Sequence, residues 1–99
     1  MSRERTVAVI GTGRVGLPLA LCFAEAGYRV HGIDTDAERV ATLRAGRMPF
    51  LEDGAEPLLR RHLGERFLPG ADPAVVADCG AILVTLGTPV DEHLNPAYA

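Results

Sequence analysis

Lysine is absent from this chain: all ten basic residues are arginine. Beside the many Ala, Gly and Pro, that bias fits a GC-rich bacterial genome. An excess of basic charge is absent too, since 13 acidic residues against 10 basic ones give a formal net charge of −3. Without a basic field, nucleic acid is not expected as a partner. No apolar run approaches membrane-spanning length. The run after "MSRER" is too short for a signal-peptide core. A cytoplasmic protein with no membrane partner is therefore expected. Cysteine is scarce: Cys22 and Cys79 lie far apart, with neither CxxC nor metal-type spacing. Two free thiols in a reducing compartment are expected, and no metal site.

What is present is an alternation of strand-like and helix-like runs. Ninety-nine residues bound the chain to one domain at most. A chain of this length buries roughly two-thirds of its unfolded surface, enough for a thin core. Thr6–Ile10 is β-branched and apolar, a buried strand. From about Arg14 to Ala26 the spacing is helical, with Val15, Leu19, Cys22 or Phe23, and Ala26 on one face. Gly27 suits its C-cap. Arg29–Ile33 reads as a second strand. Thr35-Asp36-Ala37-Glu38 has the form of a capping box opening a second helix, with Val40 and Leu43 inward and Gly46 at its end. After a loop over 47–57, a short helix is expected over Pro57–Leu63. A very short strand is expected at Phe67-Leu68. Asp72-Pro73 has N-cap and N1 chemistry for a helix ending at Gly80. Ala81–Leu86 reads as a buried parallel strand. The order implies an α/β, doubly wound, Rossmann-like parallel sheet, truncated, with strand order 3-2-1-4. The second half of such a fold would need further strands, so a fragment of something longer is expected.

Between the first strand and the first helix stand Gly11, Gly13 and Gly16. The triplet alone is a weak signal, but here it follows a strand and opens a helix. Gly11 permits the tight turn, Gly13 lets a pyrophosphate reach the backbone, and Gly16 lets helix and strand lie close. Amides at the helix N-terminus then hold the phosphate charge. Asp34 ends the second strand at the usual interval of ~20 residues past the loop, placed to accept from ribose hydroxyls. Its charge would repel a 2′-phosphate, so NAD is favoured over NADP. The alternative for Asp34 is a helix cap near Thr35. Arg39 is placed over the adenine or ribose edge; a contact with a 2′-phosphate and a solvated helix face are its alternatives. With order 3-2-1-4 the crevice lies between the first and fourth strands, so Gly87, Thr88 and Pro89 would form its second edge.

The other polar residues have plainer readings. His31 and His62 are expected on the surface or a helix face. Asp91-Glu92-His93 sits in a loop without metal spacing. Cys22 and Cys79 are expected to pack. Glu52 and Asp53 are expected to cap a helix, and Arg60-Arg61 to face solvent.

The runs "VAVIGTGRVGLPLALCFAEAGYRVHGIDTDAERVATLRAGRMPFLEDG" and "GAILVTLGTPVDEHLNP" resemble the N-terminal region of the UDP-glucose/GDP-mannose dehydrogenase family. The markers are GxGxVGLP, D-x-D/N-x-x-R-V, G-x-x-P-x-x-E and the G-T-P turn, across nearly the whole chain. The resemblance implies a nucleotide-sugar 6-dehydrogenase. Such an enzyme uses two NAD in succession to oxidise a C6 hydroxyl to a carboxylate, through a thiohemiacetal on a cysteine later in the chain. It implies pyrophosphate contacts from Gly11, Thr12, Gly13, Arg14, Val15 and Gly16. It implies adenosine contacts from Asp34 and Arg39, and a cleft lined by Leu86, Gly87 and Thr88. It implies a cytoplasmic homodimer at full length, serving bacterial surface-polysaccharide synthesis. Neither Cys22 nor Cys79 matches the catalytic cysteine, so residues 1–99 alone are not expected to catalyse. Val90 stands where the UDP-glucose branch often has Thr or Ser, which leans toward relatives acting on UDP-N-acetylhexosamines. A stand-alone, non-catalytic NAD-sensing module and a non-functional fragment are the competing readings.

Overall fold

The computed structural model describes residues 3–85. A 3-10 turn at Arg3–Arg5 leads into β1 (Thr6–Ile10). Then follow α1 (Gly16–Glu25), β2 (Arg29–Ile33), α2 (Ala37–Arg44), α3 (Ala55–His62) and β3 (Phe67–Gly70). A 3-10 helix, Pro73–Asp78, crosses to β4 (Ala81–Val84). The four strands form one parallel sheet in the order β3-β2-β1-β4. Val9 sits opposite Gly32 on one side and Leu83 on the other.

Strand alternation sends successive side chains to opposite faces. Val7, Val9, Val30 and Phe67 join Leu17, Ala20, Leu21, Ala24, Leu43 and Leu59 from the three helices in the larger core. Ala8 and Ile33 point the other way, where Cys79, Val75 and Val76 from the 3-10 segment cover them. Gly32 faces the larger core, where a Cβ would lie 2.7 Å from the Phe67 ring and 3.2 Å from Thr12 Cγ2. A bare strand position is thus what admits the aromatic ring.

The end of α1 is fixed locally. Tyr28 N–H donates to Phe23 O and Gly27 N–H to Ala24 O, both at 3.0 Å, with Gly27 at φ +103°. This is the paired bonding that a left-handed glycine permits after a helix. The Phe23 and Tyr28 rings meet edge to face, 5.6 Å apart, across the same turn. Its start, on the glycine turn, has no side-chain cap.

Several expectations are corrected. The buried face of α1 is Leu17, Ala20, Leu21 and Ala24, rotated from the expected one: Val15 is 71% exposed, and Cys22 and Ala26 are exposed. Helix phase is set by the glycine turn, which points Leu17 rather than Val15 at the sheet. Asp36, not Thr35, caps α2, accepting from Glu38 and Arg39 N–H at 3.0 and 3.2 Å. The helix starts one residue later than a Thr35 box requires. Glu52 and Asp53 do not cap α3. Gly54 occupies that position at φ +77°, and Glu56 instead reaches back to accept from Met48 N–H. The 72–80 segment is a 3-10 helix, capped as expected by the Asp72 side chain. β4 is not buried: Ile82 is 49% and Val84 60% exposed, because β4 is an edge of the described sheet. His62 is buried, bonded 2.9 Å from Glu25, which also pairs with Arg61. The contact ties the last turn of α3 to the last turn of α1.

Candidate functional site

The site forms where β1 ends and the strand order reverses, the place where open parallel sheets take ligands. Gly11 opens the turn at φ +98°, and its N–H donates to Ile33 O at 2.7 Å. The backbone there is pressed against the end of β4: a Cβ on Gly11 would lie 2.7 Å from Thr85 O. A Cβ on Gly16 would lie 1.8 Å from Gly11 O and 2.3 Å from Thr85 Oγ1. Neither position has room for a side chain. Gly13 differs, for only the Arg39 guanidinium comes near, 4.0 Å from a Cβ placed there. Its bareness therefore serves no packing inside the described chain and leaves the backbone open to a ligand. Among the described residues, the N–H groups of Gly13, Arg14 and Val15 have no partner. They stand at the positive end of α1, an arrangement suited to phosphate oxygens.

Asp34 lies directly behind this turn, 9% exposed. Its Oδ2 accepts from Thr12 N–H and Thr12 Oγ1–H, both at 2.8 Å, and from Arg39 Nη1 at 3.0 Å. Its Oδ1 accepts from Asp36 N–H at 2.9 Å. Burial pushes the carboxyl up, but hydrogen bonds from Asp36 N–H, Thr12 N–H, the Thr12 hydroxyl and Arg39 outweigh it and bring the pKa down to about 2. The group is ionised throughout the neutral range. A carboxylate offers roughly four acceptor sites. Oδ2 is filled, and Oδ1 keeps a free one. A sugar hydroxyl can therefore donate to Oδ1, or to Oδ2 in place of Arg39. The two readings of Asp34 are compatible here: one oxygen steadies the chain entering α2, while the other binds the glycine turn through Thr12.

Of the residues expected from sequence, Gly11, Thr12, Gly13, Gly16, Asp34 and Arg39 come together. Thr12 does so in an unexpected way. Its side chain is fully buried, and both its donors are spent on Asp34 rather than turned to a ligand. Arg14 and Val15 lie exposed on the rim, with the Arg14 guanidinium 5.2 Å above the Phe50 ring. Arg39 is half-buried between Asp34, Asp36 and the space over Gly13, so it is not simply a solvated face. Leu86, Gly87, Thr88, Pro89, Val90 and Asp91-Glu92-His93 fall outside the described residues. His31, on β2, is half-buried. Burial, together with the Arg29 charge, lowers its pKa, so it is neutral at pH 7 and stands away from the turn. Among the described residues, no group of three or more His, Cys, Asp and Glu is placed to hold a metal ion. Among the described residues, no helix is long and apolar enough to cross a membrane. Thr85 is the site residue that sequence reasoning passed over. A lone threonine at a strand end carries no pattern, and its role depends on the turn it touches.

A parallel sheet, a glycine turn with open amides and an ionised acid at the end of the next strand define a dinucleotide-binding α/β domain. Residues 5–97 match the family model described as UDP-glucose/GDP-mannose dehydrogenase family, NAD binding domain. The chain belongs to that family and carries its NAD-binding domain. It is 42% identical over 88 residues to UDP-glucose 6-dehydrogenase of Pseudomonas aeruginosa, covering 87% of this chain and 19% of that protein. It is 38% identical over 95 residues to a UDP-N-acetyl-D-glucosamine 6-dehydrogenase of the same species, covering 95% of this chain and 21% of that protein. The structure of a UDP-glucose dehydrogenase from Pyrobaculum islandicum superposes with a TM-score of 0.81 at 35% identity, covering 92% of this chain and 22% of that one. The chain thus spans about a fifth of the length of the relatives it matches.

Proposed function

We propose that this chain is the N-terminal, NAD-binding part of a nucleotide-sugar 6-dehydrogenase. The complete protein would oxidise the C6 hydroxyl of a UDP-sugar to a carboxylate, with the substrate and catalytic domains supplied by chain beyond these residues. The observation that carries the reading is the pairing of the open amides at Gly13–Val15 with the ionised Asp34 one strand away. The amides of Gly13, Arg14 and Val15 would bind the pyrophosphate. Gly11 and Gly16 would shape the turn, and Thr12 would hold Asp34. Asp34 would accept from the adenosine ribose, and Arg39 would lie along that ribose. Leu86, Gly87 and Thr88 would form the opposite wall. When bound, NAD supplies the hydride acceptor. The protein's part is to hold it in register with the sugar. The ionised Asp34 disfavours a 2′-phosphate and so favours NAD over NADP.

The sugar is a UDP-hexose or a UDP-N-acetylhexosamine; both kinds stand among the relatives. A cytoplasmic homodimer supplying sugar acids for bacterial surface polysaccharides completes the proposal. A stand-alone NAD sensor is the weaker reading, since the named relatives above are dehydrogenases over nearly the whole chain. The test is NADH formation by the full-length protein with UDP-glucose, UDP-N-acetylglucosamine and UDP-N-acetylmannosamine. Reduction with one of them at two NADH per sugar is expected. NAD binding with no turnover on any would favour the sensor instead.

A further inference from the structure

The glycine turn is held from the β4 side, where the Thr85 hydroxyl adds to backbone hydrogen bonds. Thr85 follows β4 directly. Its N–H donates to Ile10 O at 2.8 Å. Its Oγ1–H is shared between Ile10 O at 3.1 Å and Gly11 O at 2.9 Å. A trans peptide is planar, so its carbonyl and its N–H point in opposite directions. The Ile10–Gly11 peptide therefore spans from Thr85 to Ile33, where the Gly11 N–H ends. The Gly11–Thr12 peptide spans from the Thr85 hydroxyl to Asp34 Oδ2, where the Thr12 N–H ends. Two consecutive peptides thus lie as planks between β4 and the end of β2. Gly16 makes the arrangement possible, because any Cβ there would strike both Thr85 Oγ1 and Gly11 O.

We infer that Thr85 is a positioning residue for the cofactor site: its hydroxyl fixes the Gly11–Thr12 peptide, and through that peptide both the Asp34 carboxylate and the bare amides that follow. The inference rests on the proposed NAD reading and adds a residue to it. Thr85 touches neither diphosphate nor ribose in this scheme. It determines which way the next backbone groups face. Nothing else among the described residues donates to Gly11 O.

The test uses Thr85→Val, which keeps the shape and removes the donor, and Thr85→Ser, which keeps the donor, both in the full-length protein. NAD dissociation constants, kcat at saturating NAD and hydrogen exchange at the Thr12 amide are measured. For Thr85→Val the expected result is faster Thr12 exchange and an NAD dissociation constant raised about fivefold, the range of one lost neutral hydrogen bond. Its kcat and its KM for the UDP-sugar stay within about twofold, which a general loss of packing would not spare. Thr85→Ser is expected to bind NAD as the parent does. Parent-like NAD affinity in Thr85→Val overturns the inference alone. Equal weakening in Thr85→Ser also overturns it, since the methyl rather than the hydroxyl would then matter, and this arm stands even if the valine variant does not fold. Failure of the unsubstituted protein to bind NAD overturns the cofactor reading and this inference together, and faster Thr12 exchange in Thr85→Val would still show that the clamp exists.

Discussion

Removing the charge of Asp34 is the sharpest perturbation of this site. Asp34→Ala is a poor choice, because it strands the N–H and the hydroxyl of Thr12, which is fully buried. Each unsatisfied buried donor costs about 1–3 kcal/mol. The sum is a large part of the ~5–15 kcal/mol that holds a domain together. Asp34→Asn keeps one oxygen for Thr12 and turns its NH2 toward Asp36 N–H, which re-solvates because Asp36 is exposed. Its stability loss should therefore be about 1–2 kcal/mol. Binding suffers more directly, because a hydroxyl donating to a carboxylate loses its ionised acceptor. The same per-bond scale, about 1–3 kcal/mol, raises the NAD dissociation constant about five- to 150-fold. Calorimetric titration with NAD and urea melts of the same samples read the two effects separately. The acid limb supplies an independent check of sign. The folded-state pKa lies below the ordinary 3.8, at about 2. The stabilisation is therefore fully present above pH 4 and is lost as pH falls through about 2, by about 1–2 kcal/mol after solvent screening. Asp34→Asn should lack that loss. A folded Asp34→Asn protein with parent NAD affinity would refute the ribose assignment. Parallel acid limbs for parent and variant would refute the hydrogen-bond account of the pKa.

The glycine turn and the half-buried His31 can each be tested separately. Gly13→Ala should leave urea stability within about 1 kcal/mol, because among the described residues a Cβ there meets only the movable Arg39 guanidinium, yet weaken NAD binding at least tenfold; Gly16→Ala should lose more than about 3 kcal/mol or fail to fold, since backbone stands 1.8 Å from its Cβ. Equal stability of the two variants would contradict the division of labour between these glycines. The His31 ring should titrate below the usual 6.5 in NMR, and its contribution to stability should be present above that pH and decline as pH drops below it. A midpoint at or above 6.5 would show that burial does not govern it.

The strand order, and the gathering of Gly11, Gly13, Gly16 and Asp34 at the end of β1, are legible in the sequence for a physical reason. Gly11, Gly13, Gly16 and Asp34 are constrained by local backbone geometry and by a fixed interval along the chain, and such constraints leave a spacing behind. The parallel order follows from alternation and from the handedness of crossovers, neither of which needs side-chain detail. Features set by contacts between distant elements left no such trace. The phase of α1 depends on how the turn delivers the chain onto the sheet, so Leu17 rather than Val15 lies inward. His62 is buried because Glu25, far away in sequence, sits opposite it. Asp36 takes the α2 cap because Asp34 already holds the Asp36 N–H. Ala81–Val84 has the composition of an interior strand but stands at an edge of the described sheet. Composition reports what a strand is suited to pack against, not which neighbours are present.

The arrangement around Thr12 bears on how such a site can be both strong and specific. The Thr12 N–H would be the first amide offered to a phosphate, yet it is committed to Asp34. In the proposed NAD reading, phosphate contacts would therefore start at Gly13, where the missing Cβ leaves the approach open. The commitment has a return. It ties the group that would read ribose to the turn that would hold diphosphate, so neither can shift without the other. Arg39 completes the coupling. It neutralises Asp34 through Oδ2 while lying over Gly13, where a phosphate's negative charge would draw it forward. A move of that kind would free one position on Oδ2 for a ribose hydroxyl. The two halves of one ligand would then assist each other through a single guanidinium, without any motion of the backbone.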